Sequence, residues 1–177
     1  MLRRLLIVFA ALIGLVVLAG FLLPARQVVE RSLTMTHSPE RVWAVLAQPV
    51  AWNRWSPWYA RDPAMKITYD GAPSGVGARW HWVSQSEGDG QLQIVAATEP
   101  RHLDYVVSLG NGGNAIGRFV LEPIDNGTRL TWRLQFDAGL NPIERWFGLM
   151  LERWVGPDFE QGLRNINRIL TRSNGGG

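Results

Sequence analysis

Four side chains near the middle of the chain have the chemistry to move a proton or hold an oxyanion: Tyr105, His81, Asp104 and Arg79. A phenol, imidazole or carboxylate exchanges one proton, and a guanidinium stabilises developing negative charge. Such a set suits a substrate held folded while protons are exchanged, with orientation lowering the entropic cost of ring closure. Strand alternation works against it. Asp104 and Tyr105 are neighbours, so they point to opposite faces, and His81 takes the face opposite Trp80 and Trp82. Arg79 and Arg118 read either as an acceptor site for an acidic head group or as charges that discourage edge pairing. Asp104 and Glu122 lie between inward positions and do not form a catalytic carboxylate pair. No metal is expected, because His37, His81 and His102 lack ligand spacing and there is no cysteine. No cofactor is expected either. The glycines at 110, 112 and 113, with Asn111 and Asn114, lack the Lys and Ser/Thr offsets of a phosphate cradle and read as a hairpin turn.

A binding chemistry is better supplied than a reactive one. Alternation points Val29, Leu33, Trp80, Trp82, Leu92, Tyr105, Phe119, Trp132 and Phe136 inward from strands, with Phe159 and Leu163 facing them from a helix. These side chains line an apolar cavity or fill it, and periodicity does not separate the two. Trp52, Trp55 and Trp58 are placed at the cavity mouth; the alternative is a plug whose indole N–H groups bond nearby carbonyls.

The elements that must position these residues follow from the pattern. Gln27 to Thr36 reads as a strand; Ser38, Pro39 and the stretch 41–47 read as a capped short helix. Strands follow around residues 78–82, 92–96, 103–109, 119–121 and 129–136, with Asp125-Asn126-Gly127 as a hairpin turn. Asn141 caps a helix in which Ile143, Trp146, Phe147, Met150 and Trp154 form an apolar stripe. Gly156-Pro157 is expected to interrupt it, and Phe159, Leu163, Ile166 and Leu170 make the stripe of a second segment. The predicted class is α+β, a curved antiparallel sheet pressed around a long C-terminal helix.

Residues 1–25 set the organisation. Arg3 and Arg4 precede an apolar run from Leu5 to Leu23 closed by Pro24, about 28 Å long as a helix and close to the thickness of a bilayer core. The run is longer than the roughly 7–15 residues of a signal-peptide core, so an uncleaved anchor is preferred to a signal cut near Ala19. The basic start keeps the short end in the cytoplasm and places the domain in the periplasm, anchored in the inner membrane of a bacterium. The remaining part forms one domain, residues 26–171, with 172–177 a disordered tail. The sequence pI of 9.9 does not indicate nucleic acid. Two of the 18 Lys and Arg belong to the leader, and the other 16 face 15 Asp and Glu.

Five strings stand out: Arg31-Ser32 before Ser38-Pro39-Glu40-Arg41-Val42-Trp43, the run from Trp52 to Trp58, Gly75-Val76-Gly77-Ala78, the run from Gly127 to Trp132, and Gly156-Pro157-Asp158-Phe159-Glu160. With the layout above, they resemble the polyketide cyclase and dehydrase-like (SRPBCC) branch of the START/Bet v 1-like superfamily. The resemblance covers Gln27 to Leu170 and implies the helix-grip fold with an apolar cavity between sheet and terminal helix. It carries over no catalytic residue, since family members range from cyclases to lipid and hormone carriers. The leading expectation is a membrane-anchored domain that binds a lipid-like or aromatic small molecule. The alternatives are a polyketide cyclase or dehydratase using the four residues above, and an interaction module. In the last, the Trp52–Trp58 segment or the helix around Trp146 and Trp154 contacts a protein or the bilayer. No protein partner is identifiable.

Overall fold

The computed structural model describes residues 1–110 and 113–173. The hairpin-turn reading of the 110–114 glycines therefore rests partly on residues outside those described, as does most of the expected tail.

Helix α1 (Leu2–Leu22) has a mean hydropathy of 3.0 over its most apolar window and buries only Gly20. It is long and apolar enough to cross a membrane, and this chain offers it almost no core to bury itself in. Strand β1 (Arg26–Met35) follows, then α2 (Pro39–Leu46), a 3-10 turn (Pro49–Arg54) and α3 (Pro57–Arg61). A meander comes next: β2 (Lys66–Gly71), β3 (Ala78–Val83), β4 (Gly90–Thr98), β5 (His102–Leu109), β6 (Asn114–Ile124) and β7 (Gly127–Asp137). Helix α4 (Pro142–Arg172) ends the described chain.

The strand order is β1-β7-β6-β5-β4-β3-β2, antiparallel at each pairing, so β1 closes the far side of the meander beside β7. This is the expected α+β helix-grip fold. Strand β2 has no counterpart in the sequence reading. It is an edge strand with only Ile67 half-buried, so no alternating burial marks it. One register fact orients the molecule: Arg26 pairs with Asp137, Phe136 with Ala115, Ala115 with Val107, and Leu109 with Gly90. The β5–β6 and β3–β4 connections, the end of β7 and the start of β1 thus share one end of the sheet, the end from which α1 departs.

The C-terminal helix corrects the expected break at Gly156-Pro157, because α4 runs unbroken through Pro157. What changes there is the side on which the apolar stripe lies. At about 100° per residue, Ile143, Trp146, Phe147, Met150 and Trp154 lie on the side opposite Phe159, Leu163, Ile166 and Leu170. The second set is buried against the sheet, and all five of the first set are exposed. Asn141 begins the helix as expected: its side-chain oxygen accepts from the Ile143 and Glu144 N–H groups, and its amide donates to Glu144 at 2.7 Å. Arg31 reaches from β1 to both Glu152 and Glu160, and Gly156 leaves room for its guanidinium.

Candidate ligand-binding site

An apolar cavity of about 220 Å³ lies between the sheet and α4. Apolar cavities of roughly 150 Å³ already admit a benzene-sized guest, so this one has room for a ring or a length of acyl chain. Six of the eleven residues expected to bind a ligand line it: Trp80, Trp82, Leu92, Tyr105, Trp132 and Phe159. The other five do not reach it. Val29, Phe119 and Leu163 are fully enclosed in the core, and Leu33 and Phe136 pack half-buried against that core. Alternation assigned their face correctly, but depth along a curved sheet separates core from cavity.

The mouth assignment of the tryptophans is corrected for two of three. Trp52 and Trp55 are buried, and their indole N–H groups donate to the Leu46 and Val45 carbonyls at 2.9 and 3.2 Å. They form the plug. Trp52 meets Trp55, Trp80, Tyr105 and Phe119 with ring centroids 4.6–5.7 Å apart, and one face of it becomes the cavity floor. Trp58 is half-buried, lines the cavity and meets Trp132 edge-on.

The set of four proton-handling residues is not assembled. His81 is exposed on the outer face, Arg79 pairs with Asp70 there, and Asp104 accepts from the Nε and Nη2 of Arg118, each at 2.6 Å. Only Tyr105 enters the cavity. Its ring lies over Gly117 of β6, directly opposite in register, where a Cβ would fall inside the ring. The Tyr105 hydroxyl accepts the Trp132 indole N–H at 2.7 Å, and Trp132 stacks on Phe159 with centroids 3.9 Å apart. Gly162 lets α4 close on Trp132, since a Cβ there would stand 2.7 Å from the indole. Burial pushes the Tyr105 phenol above its ordinary pKa, the Trp132 hydrogen bond opposing, so the group stays protonated and has an O–H to donate beside the bond it accepts from Trp132.

Residues not expected to bind a ligand complete the wall: Ser56, Tyr59 and Met65 from the helical segment and its sequel, Glu87 from the β3–β4 connection, Val107, Leu109, Ala115 and Leu134 from strands, and Leu151 and Val155 from α4. The Tyr59 hydroxyl is buried. Burial first, and its interaction with the neighbouring Tyr69 hydroxyl second, hold its phenol above the usual range. Glu87 is tied down. Arg61 of α3 grips the Glu87 carboxylate with two bonds of 2.9 Å and the Asp158 carboxylate of α4 with bonds of 2.6 and 3.0 Å. One guanidinium therefore clasps α3, the β3–β4 connection and α4 beside the cavity. Among the described residues no cluster of His, Asp or Glu has the arrangement to hold a metal ion.

The profile of the family described as Polyketide cyclase / dehydrase and lipid transport matches residues 26–171. The chain belongs to that family. Comparison with curated proteins returns no match. Among solved structures, a protein from Mesorhizobium loti is similar at 21% identity, covering 82% of this chain and 98% of its own, with a TM-score of 0.59. One from Arthrobacter aurescens has 20% identity, covers 82% and 87%, and has a TM-score of 0.63. One from Rhodobacter sphaeroides has 21% identity, covers 82% and 93%, and has a TM-score of 0.60. At these identities the likeness carries the fold of the domain.

Proposed function

We propose that this protein is a membrane-anchored binder of a hydrophobic small molecule, taken up non-covalently in the cavity between the sheet and α4. The observation that carries this reading is a cavity walled almost wholly by aromatic and aliphatic side chains, with the hydroxyl-bearing Tyr105 in its wall. Tyr105 uses its oxygen as an acceptor for the Trp132 indole and keeps its proton for a ligand. That donor in an apolar wall suits a molecule with an apolar body and an oxygen acceptor. Separation of His81, Asp104 and Arg79 from the cavity speaks against proton exchange by the four-residue set. Anchoring rests on α1, whose exposed apolar surface needs a non-aqueous environment, with Arg3 and Arg4 on the cytoplasmic side and the domain in the periplasm.

Native mass spectrometry of the full chain in a mild detergent tests the binding. The expected result is a co-purifying or added lipid or aromatic molecule retained by the parent and lost in Val107→Trp, which fills the cavity. No bound species across a lipid and aromatic panel, or equal binding by the filled variant, refutes the reading. Intact mass of the extracted chain and protease accessibility in spheroplasts test anchor and side.

A further inference from the structure

We propose that the N-terminal half of α4 lies in the headgroup–acyl boundary of the membrane that α1 spans, so that the cavity is loaded from the bilayer by a membrane-resident amphiphile. This rests on the binding and anchoring reading above and names the source of the ligand and its route.

The first observation is the joint between α1 and α4. Gly20 of α1 packs against Pro142, where a Cβ would stand 2.8 Å from both the Pro142 Cβ and its carbonyl oxygen. The Trp146 indole N–H donates to the Val16 carbonyl at 3.0 Å, and Arg145 donates to the Phe21 and Leu23 carbonyls at 2.8 and 3.1 Å. Arg145 thereby supplies donors and positive charge to the C-terminal end of α1, where backbone carbonyls lack helical partners. Val16 stands six residues before the end of α1, about 9 Å along its axis. Interfacial helices bury their apolar faces roughly 5–10 Å into the headgroup–acyl boundary, the same depth. Wherever the last turns of α1 sit in the bilayer, the first turns of α4 sit beside them.

The second observation is the reversed stripe. Ile143, Trp146, Phe147, Met150 and Trp154 point away from the sheet, with Phe147 55% and Trp154 53% exposed and their rings 6.4 Å apart. Five large apolar side chains on one helix face, continuous with the joint to α1, find their apolar solvent in the same membrane.

The third observation is the path from that face to the cavity. Phe147, Leu151, Val155 and Phe159 follow one another at four-residue spacing and form a single ridge along α4. Phe147 is exposed, Leu151 and Val155 are half-buried in the cavity wall, and Phe159 is the buried ring stacked on Trp132. The cavity also takes Leu109 and Ala115 from the end of the sheet where α1 departs. The ridge therefore leads from the membrane face into the cavity along four apolar side chains.

The absence of native cysteine makes the test clean. Full chain carrying Phe147→Cys or Trp154→Cys, labelled with an environment-sensitive fluorophore, is reconstituted into phosphatidylethanolamine–phosphatidylglycerol vesicles with brominated acyl chains. Arg168→Cys, exposed near the other end of α4, is the control. Both test labels are expected to be blue-shifted and quenched by bromine, and the control is not. In parallel, Phe147→Asp/Trp154→Asp is loaded with the fluorescent fatty acid cis-parinaric acid. Loading from vesicles is expected to fall by at least about tenfold, because a carboxylate on the route must be dehydrated as the chain passes. Loading from detergent micelles stays at the parental level, which also shows that the variant is folded. Quenched labels with unchanged vesicle loading overturn the route. Labels shielded from water but untouched by bromine identify a second copy of the chain as the occupant of the face and overturn the proposal. A parent that takes up no probe even from micelles refutes the binding reading itself, a different failure.

Discussion

Tyr105→Phe removes one oxygen atom from the centre of the proposed site. Tyr105 is 3% and Trp132 1% exposed, and the Tyr105 oxygen accepts the indole N–H at 2.7 Å. The phenyl ring of the variant keeps its seat over Gly117, so packing is conserved and the change isolates the hydrogen bond. A buried donor left without an acceptor costs about 1–3 kcal/mol, and relief from burying the hydroxyl returns part of that, leaving a net loss of about 1–2 kcal/mol. For a domain of this size, that lowers Tm by about 2–8 °C. The assay is urea and thermal unfolding of full chain in non-ionic detergent, followed by tryptophan fluorescence. Trp132→Phe and the double variant close a thermodynamic cycle, in which the second substitution should cost less than it does alone by about 1–2 kcal/mol. A loss below about 0.5 kcal/mol with additive single variants would show that the indole N–H finds another partner, and it would refute the reasoning that the Tyr105 oxygen is what satisfies it.

Other outcomes follow from the same structure. Gly117→Ala places a methyl group in the Tyr105 ring and should cost about 1–3 kcal/mol by overpacking while weakening ligand retention; unchanged stability means that the ring is not seated there. Arg61→Ala frees Glu87 and Asp158, so amides of residues 84–89 should exchange hydrogen faster than in the parent while the β6–β7 ladder is unchanged. Stability should fall in acid. The Ser84 hydroxyl holds the Asp62 carboxyl below its ordinary pKa of 3.8, the Gly139 N–H and Arg26 do the same for Asp137, and Arg31 holds Glu160 below 4.5. Carboxyls depressed in the folded state contribute fully above those ordinary values and lose their contribution as pH falls through the lower folded ones, so Asp62→Asn should show a shallower acid slope. Asn141→Ala removes the cap of α4 and should cost about 1 kcal/mol, read in the same unfolding assay.

The local patterns of the sequence determined most of the architecture. The uninterrupted apolar run produced α1, alternation set which faces of β3 to β7 turn inward, and Asn141-Pro142 fixed where α4 begins. The two stripes on either side of Gly156-Pro157 were also legible, and their change of side was already contained in the residue spacing. Proline there suggested a break in the backbone, whereas the unbroken helix turned the same feature into a change of partner, from apolar surroundings outside the domain to the sheet. Tertiary structure alone decided the site. Whether an inward residue is core or cavity depends on how far the curved sheet stands from the helix at that level, so Phe119 and Leu163 became core while Trp132 and Phe159 became wall. Leu151 and Val155 sit on the flank between the two stripes, and Glu87 belongs to a connection held by an arginine 26 residues away. Periodicity reports direction from one backbone axis, and a cavity is a distance between several.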